Sequence, residues 1–204
     1  MGGKPKALIE LAGTTLLDRA IAAIVGEVSD LAVNLPPGLD VPGLRVPTLR
    51  DETPTYEGPL AGVLAGLRWA AAPSSRPSHL LTVPVDLPFL PPDLVPRLTD
   101  QIDHPDTLVF AWGSEGGAPL CALWPLSVTE RLVAFLAEGS NRRVKSFISG
   151  ERTESVVFET VEIEGRAIDP FFNINTPDDL TEAAEMAALV RPWSSRRAES
   201  GSTQ

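Results

Sequence analysis

The stretch Leu80-Leu81-Thr82-Val83-Pro84-Val85-Asp86-Leu87-Pro88-Phe89-Leu90-Pro91-Pro92-Asp93-Leu94 decides the fold of this chain. Six residues suited to burial, Leu80 to Val85, read as an interior strand, and they end in one carboxylate, Asp86. A proline-punctuated turn then leads to Asp93 at the start of a helix. In an open α/β sheet, ligands bind in the crevice outside the carboxyl ends of the strands. An acid in that place contributes little to a core but can hold a divalent cation, since Mg²⁺ is bound by one or two carboxylates together with substrate phosphates. The competing reading is a turn residue or helix N-cap, because Asp and Pro are common in such loops.

Outward from this segment, helical and extended patterns alternate. Thr14 to Val25 carries apolar residues at helical spacing, with Thr14 or Thr15 as N-cap. Leu31 to Leu35 is a short strand closed by Pro36-Pro37-Gly38, and Leu60 to Ala72 is an Ala/Leu-rich helix. After the polar loop Pro73 to Ser78 come the strand Leu80 to Val85 and a helix over Pro92 to Ile102 with proline in its first turn. Leu108 to Trp112 and Leu120 to Trp124 read as strands joined by the glycine-rich turn Gly113 to Gly117. Helices over Ser127 to Ala137 and Asn141 to Ile148 precede a strand over Ser155 to Ile163. The helix Thr176 to Val190 follows a cap sequence with acids in its first turn, Asn175-Thr176-Pro177-Asp178-Asp179. This order predicts an α/β fold, with a mostly parallel sheet, helices on both faces and an antiparallel addition. It predicts one domain over residues 1–190 and a disordered Ser/Arg-rich tail over 191–204. A nucleotide-binding βαβ fold should open on a strand feeding a glycine-rich turn, and no such strand is read before the first helix.

Composition narrows the function. The chain of 204 residues is long enough for a sizeable core. Its 27 acidic and 17 basic residues give a net charge of −10, against general affinity for nucleic acid, which needs a basic face. A nucleotide remains accessible to a few local groups. The single Cys121 provides neither an intramolecular disulfide nor a cysteine cluster for zinc. No apolar run approaches the ~20 residues that span a bilayer, and Met1 to Lys6 is not followed by the apolar region of a secretory signal. The expectation is a cytoplasmic protein without membrane attachment.

Four segments together resemble the molybdenum cofactor guanylyltransferase family of Rossmann-like nucleotidyltransferases. They are Met1-Gly2-Gly3-Lys4-Pro5-Lys6-Ala7-Leu8, Tyr56-Glu57-Gly58-Pro59-Leu60-Ala61-Gly62, Val83-Pro84-Val85-Asp86-Leu87-Pro88-Phe89-Leu90, and Phe171-Phe172-Asn173-Ile174-Asn175-Thr176-Pro177-Asp178-Asp179-Leu180. Their order and spacing fit residues 1–188. The resemblance implies transfer of GMP from GTP to molybdopterin carrying molybdenum, releasing pyrophosphate and forming the guanine dinucleotide cofactor. Candidate recipients are molybdoenzymes or their chaperones. Joining two anions at phosphorus rests on positioning and charge neutralisation. By the same resemblance Lys6 would neutralise triphosphate oxygens and Asp86 would bind Mg²⁺. Asn34, Asp51 and Gly58 would contact the nucleotide, and Asn173 and Asn175 would line the acceptor side or order the metal-site loop.

Each position has a plainer alternative. Lys6 and Asp51 could be solvated surface charges, Asn34 a strand-end turn residue, and Asn173 and Asn175 caps of the last helix. His79 and His104 match no motif. Trp69, Trp112 and Trp124 read as core, and Arg142, Arg143 and Lys145 as a solvated helix face.

The sequence also departs from the family pattern, whose phosphate loop runs Leu-Ala-Gly-Gly, three variable residues, Arg-Met-Gly-Gly and a segment ending in lysine. Only Met1-Gly2-Gly3 onward is present. The expectation is that the functional protein begins roughly 15 to 25 residues earlier, the length of a strand and loop. Without that strand, edges beside Leu31 to Leu35 and Leu80 to Val85 would lack a partner. Pro5 replaces an acid, Asn34-Leu35-Pro36 an Asn-x-Asn, and Ala118-Pro119 a His-Pro pair. The alternatives to guanylyl transfer are a cytidylyltransferase or other sister nucleotidyltransferase, and a truncated, non-catalytic cofactor-binding protein.

Overall fold

The computed structural model describes residues 5–50, 58–72, 77–113, 116–138 and 143–190. After a 3₁₀ turn at Lys6–Leu8 the elements run β1 Glu10–Leu11, β2 Thr14–Thr15, α1 Leu16–Ile24, β3 Val33–Asn34, β4 Thr48–Leu49, α2 Pro59–Ala71, β5 His79–Thr82 and α3 Leu94–Thr99. They continue β6 Leu108–Gly113, β7 Gly116–Pro125, α4 Thr129–Ala137, α5 Val144–Ile148, β8 Thr153–Phe158, β9 Val161–Ile163, β10 Arg166–Ile168 and α6 Pro177–Leu189.

The main sheet has the order β5-β7-β6-β8. β7 is antiparallel to both neighbours, and β6 is parallel to β8. Three strands therefore share one direction, and the expected antiparallel addition lies between them. Side chains alternate across this sheet with the two-residue period of a strand. Along β7, Ala122 and Trp124 enter the core beneath α2, α4 and α5, with Leu64, Leu132 and Phe147. Cys121 and Leu123 enter the opposite core, with Leu94 and Leu98 of α3. Helices thus cover both faces.

Trp124 is fully buried and stacks on Phe147 at 6.4 Å. Its indole Nε1 donates to the Thr82 hydroxyl at 2.7 Å, and that hydroxyl donates to the Leu120 carbonyl at 2.6 Å. Thr82 thereby satisfies a buried donor and a carbonyl together.

A third, smaller core joins distant parts of the chain. Ile9, Leu11 and Leu16 pack with Ile174 and Ala183, and Val85, Phe89 and Phe172 close around them. The N-terminal turn, the loop after β5 and the start of α6 are brought together by this cluster.

Several expectations are corrected. A strand does precede the first helix: β1 and β2 form a two-residue hairpin around Ala12 and Gly13, both at positive φ, as such tight hairpins require. β5 ends at Thr82 instead of Val85, and the ladder stops just short of Pro84, which has no N–H to offer it. The extended stretch after β8 turns back at Glu164 and Gly165, again at positive φ, so β9 pairs with β10. β4, parallel to β3, had no sequence counterpart. The residue 191–204 tail lies outside the described residues.

Among the described residues β3 pairs with β4, and β5 pairs with β7. An apolar cavity of about 490 Å³ lies between β3 and β5, lined by Ile21, Val33, Val63, Leu81 and Val83 among others. α2 crosses both strands through its glycines. A Cβ on Gly62 would come within 2.7 Å of the Asn34 amide nitrogen, and one on Gly66 within 2.8 Å of Leu80.

Replacing Thr82 by the isosteric Val should orphan the Trp124 indole N–H and lower stability by about 1–3 kcal/mol. Urea unfolding should show a lower midpoint with an unchanged slope; an unchanged midpoint would mean that the indole finds another acceptor.

Candidate active site

Pro5 leads into the short turn that presents Lys6, and Ala7 and Ile9 anchor that turn by burial. The Lys6 ammonium donates to Asp86 Oδ2 at 2.9 Å and to Asn175 Oδ1 at 2.6 Å. Two segments, 80 and 169 positions away from Lys6, thus converge on its nitrogen. The Lys6 side chain is 38% exposed and that of Asp86 18%, so the ammonium is open to a ligand while the carboxylate is mostly covered.

Asp86 follows β5 four residues beyond its carboxyl end at Thr82. Its backbone carbonyl accepts from the Ile174 amide at 3.1 Å, which straps the Asp86 loop to the segment before α6. Ile174 is fully buried, while Asn173 and Asn175 on either side are exposed. The Asn-x-Asn pattern therefore sets its two outer residues at the surface and its central residue in the core.

Two acids in this segment escaped the sequence reading as structural determinants of the site. Asp169 accepts the Phe171 amide on its side chain at 2.8 Å and the Phe172 amide on its carbonyl at 3.1 Å. It thereby shapes the turn before Asn173, and Asp followed by Pro170 is the local signal that could have revealed it. Asp179 accepts the backbone amides of both Asn175 and Thr176 at 2.8 Å, while its own amide donates to the Thr176 hydroxyl at 3.1 Å. These bonds hold the Asp179 carboxyl below its ordinary value; the Asn175 amide is the largest cause, followed by Thr176, with a smaller contribution from the Lys6 charge.

The other predicted positions lie elsewhere. Asn34 ends β3, exposed, with its amide against Gly62. Gly58 precedes α2 at φ 96° and ψ 179°, a region essentially restricted to glycine, and Pro59 opens the helix. One helical turn separates Gly58 from Gly62, so the start of α2 lies near the carboxyl end of β3. Asp51 falls outside the described residues, as do residues 1–4 of the expected phosphate loop. Arg50, just before Asp51, donates to the Pro36 and Leu39 carbonyls and to Asp40, pinning the loop after β3.

The donor set limits the way a cation could be held. Among the described residues no group of three or more His, Cys, Asp or Glu side chains is arranged for a metal. Asp86 is a single, partly exposed carboxylate, which fits a hard cation that draws its remaining ligands from substrate phosphates and water. A closed, all-protein cage does not fit. His79, half-buried with Nε2 on the Thr107 carbonyl, belongs to the far end of β5; burial lowers its pKa.

Comparison with known proteins adds independent findings. The model of the MobA-like NTP transferase domain family matches residues 1–154. A molybdenum cofactor guanylyltransferase from Sinorhizobium fredii is 40% identical over 185 residues, covering 90% of this chain and 84% of that protein. Molybdopterin-guanine dinucleotide biosynthesis protein A from Archaeoglobus fulgidus superposes with a TM-score of 0.67 at 18% identity, covering 92% of this chain and 93% of that one. A 2-C-methyl-D-erythritol 4-phosphate cytidylyltransferase from Thermus thermophilus superposes with a TM-score of 0.66 at 19% identity, covering 91% and 95%. At these identities the two structures establish a shared fold alone.

Substituting Gly58 by Ala should place a Cβ on a glycine-only backbone and destabilise the protein by about 1–3 kcal/mol. Chemical denaturation checks this; an undiminished midpoint would show that the start of α2 relaxes at no cost.

Proposed function

Since the chain belongs to the MobA-like NTP transferase family, we propose that it transfers GMP from GTP to molybdopterin carrying molybdenum, with release of pyrophosphate. The product is the guanine dinucleotide form of the cofactor. The observation that carries this reading is the junction of Lys6, Asp86 and Asn175 at the carboxyl end of β5. The curated guanylyltransferases at up to 40% identity support the choice of donor and acceptor.

In the reaction a phosphate oxygen of the acceptor attacks the α-phosphorus of GTP. A new phosphoanhydride bond forms, and the bond from that phosphorus to the bridging oxygen of pyrophosphate breaks. Both partners are anions, so the barrier is lowered by holding them in line and by neutralising their charge. Lys6, whose ammonium is exposed, faces the triphosphate and takes up phosphate oxygens. Asp86 is the residue suited to hold a divalent cation, which we assign as Mg²⁺; when bound, this ion neutralises charge on the transferred and departing phosphates. Asn175 keeps Lys6 in place and, with Asn173, borders the acceptor side. Gly58 lets the start of α2 approach the nucleotide closely; Asn34, which ends β3, and Asp51 are assigned as its further contacts.

The partners follow from the same chemistry. GTP and the pterin are recognised locally, in a protein whose net charge of −10 opposes nucleic acid. No helix among the described residues is long and apolar enough to cross a membrane, and we assign the protein to the cytoplasm, where it would hand its product to molybdoenzymes or their chaperones.

Asp86→Asn should abolish transfer of labelled GMP to the acceptor while leaving the unfolding midpoint close to that of the parent, since the side chain lies at the crevice. Retained activity would remove Asp86 from the proposed role. In the same assay unlabelled GTP should compete and CTP should not; effective competition by CTP would shift the assignment to a cytidylyltransferase.

A further inference from the structure

A capping box ordinarily satisfies two donors reciprocally: the N-cap side chain takes the N3 amide, and the N3 side chain takes the N-cap amide. Thr176 and Asp179 make that pair at the start of α6. Asp179 does more than the cap requires. The same oxygen, Oδ2, also accepts the amide of Asn175, at the same 2.8 Å as the amide of Thr176. Asn175 lies outside the helix and gains nothing for it. Its own side chain, however, carries the oxygen that grips the Lys6 ammonium at 2.6 Å.

We propose that Asp179 is a positioning residue for guanylyl transfer: its carboxylate fixes the backbone of Asn175, and through it the Lys6 ammonium. The inference rests on the proposed role of Lys6 at the triphosphate. Two observations make the chain of contacts directional. The Asn175 backbone is held from one side by Asp179, and its neighbour Ile174 is held from the other by the Asp86 carbonyl. With both flanking restraints in place, the Asn175 side chain has a defined path to Lys6. Removing the Asp179 bond leaves the strap at Ile174 and frees the residue that touches the ammonium.

The test separates this role from helix capping. Asp179→Ala and Thr176→Ala each break the cap, so both should lower stability by similar amounts. Only Asp179→Ala should lower kcat, by about 10- to 100-fold, as expected when a reacting group loses its placement. KM for GTP should move less than about threefold in both variants, as expected when the loss falls mainly on the transition state. Asn175→Ala should cause a comparable loss, and the double variant should fall no further than Asn175→Ala alone, because both changes cut the same path. Asp179→Glu, which retains the carboxylate, should recover much of the activity. Additive losses, or an equal loss of kcat in Thr176→Ala, would overturn the proposal.

A second readout does not depend on turnover. Acylation of Lys6 by acetic anhydride, followed by mass spectrometry of the full chain, reports how firmly the ammonium is held. Asp179→Ala and Asn175→Ala should each raise labelling of Lys6 by about fivefold, the factor expected for losing one hydrogen bond. Thr176→Ala should leave it unchanged. If the parent transfers no GMP, the functional reading fails and the labelling pattern still decides the tether. If transfer is normal and Lys6 labelling ignores Asp179, the tether fails and the functional reading stands.

Discussion

The Lys6 ammonium is the point at which distant parts of this chain meet. It is bound by a carboxylate from the end of β5 and an amide oxygen from the segment before α6. These are groups that no local element could bring together. Most of the support for the contact is apolar. Ile9, Leu11 and Leu16 from the N-terminal region and Ile174 and Ala183 from the C-terminal region share one small core, capped by Val85 and Phe89 from either side of Asp86. An exposed ion pair alone contributes little to stability, because water solvates both partners and both side chains lose freedom. The packing beneath it does the ordering, and the charges sit where the packing leaves them.

The same division of labour extends through the sheet. Trp124 and Thr82 form a buried polar link between β5 and β7 with both donors used, so β5 ends at a fixed height and Asp86 emerges at a fixed place. The opposite side of β5 is different in kind. There an apolar cavity separates it from β3, and α2 spans the two through Gly62 and Gly66. The small residues on α2 are a matter of fit: larger ones would drive into Asn34 and Leu80. Glycine costs stability inside a helix, and at these two positions that cost is offset by close helix–strand approach.

Much of this could be read from residues alone, for definite physical reasons. The strand before Asp86, the cap at Thr15 and the acids opening α6 are signalled by neighbours in sequence, and the structure has them. Resemblance to a family marked Lys6 for the triphosphate, Asp86 for the metal and Asn175 for the acceptor side or the metal-site loop, but their meeting at one nitrogen was not read; no spacing rule would join positions 80 and 169 residues apart. What escaped is short or bent. β1, β2 and β4 have two residues each, too few to show a period of two. The turn at Glu164-Gly165 was hidden because Val161 to Ile163 continues the apolar character of β8. Asp169 and Asp179 looked like ordinary turn and first-turn acids. Their significance lies in which amides they receive, and that depends on the path of the backbone.

A protein of net charge −10 that binds two polyanions needs an electrostatic account. Charges farther apart than a Debye length, about 8 Å at physiological ionic strength, are largely screened, so the overall excess of acid weighs little inside a crevice. What counts is the first contact. Lys6 already rests against a carboxylate and an amide oxygen, so a phosphate oxygen arriving there replaces one oxygen partner with another and never meets a bare, fully hydrated ammonium. On the proposed reading, the ordering of that cation is borne in folding, by the small core that holds Ile9, Leu16 and Ile174. Binding then has only to exchange partners. On that reading the pairing of Lys6 with Asp86 is a preorganised site for an anion and its counter-cation: each charge keeps its companion in place until substrate supplies another.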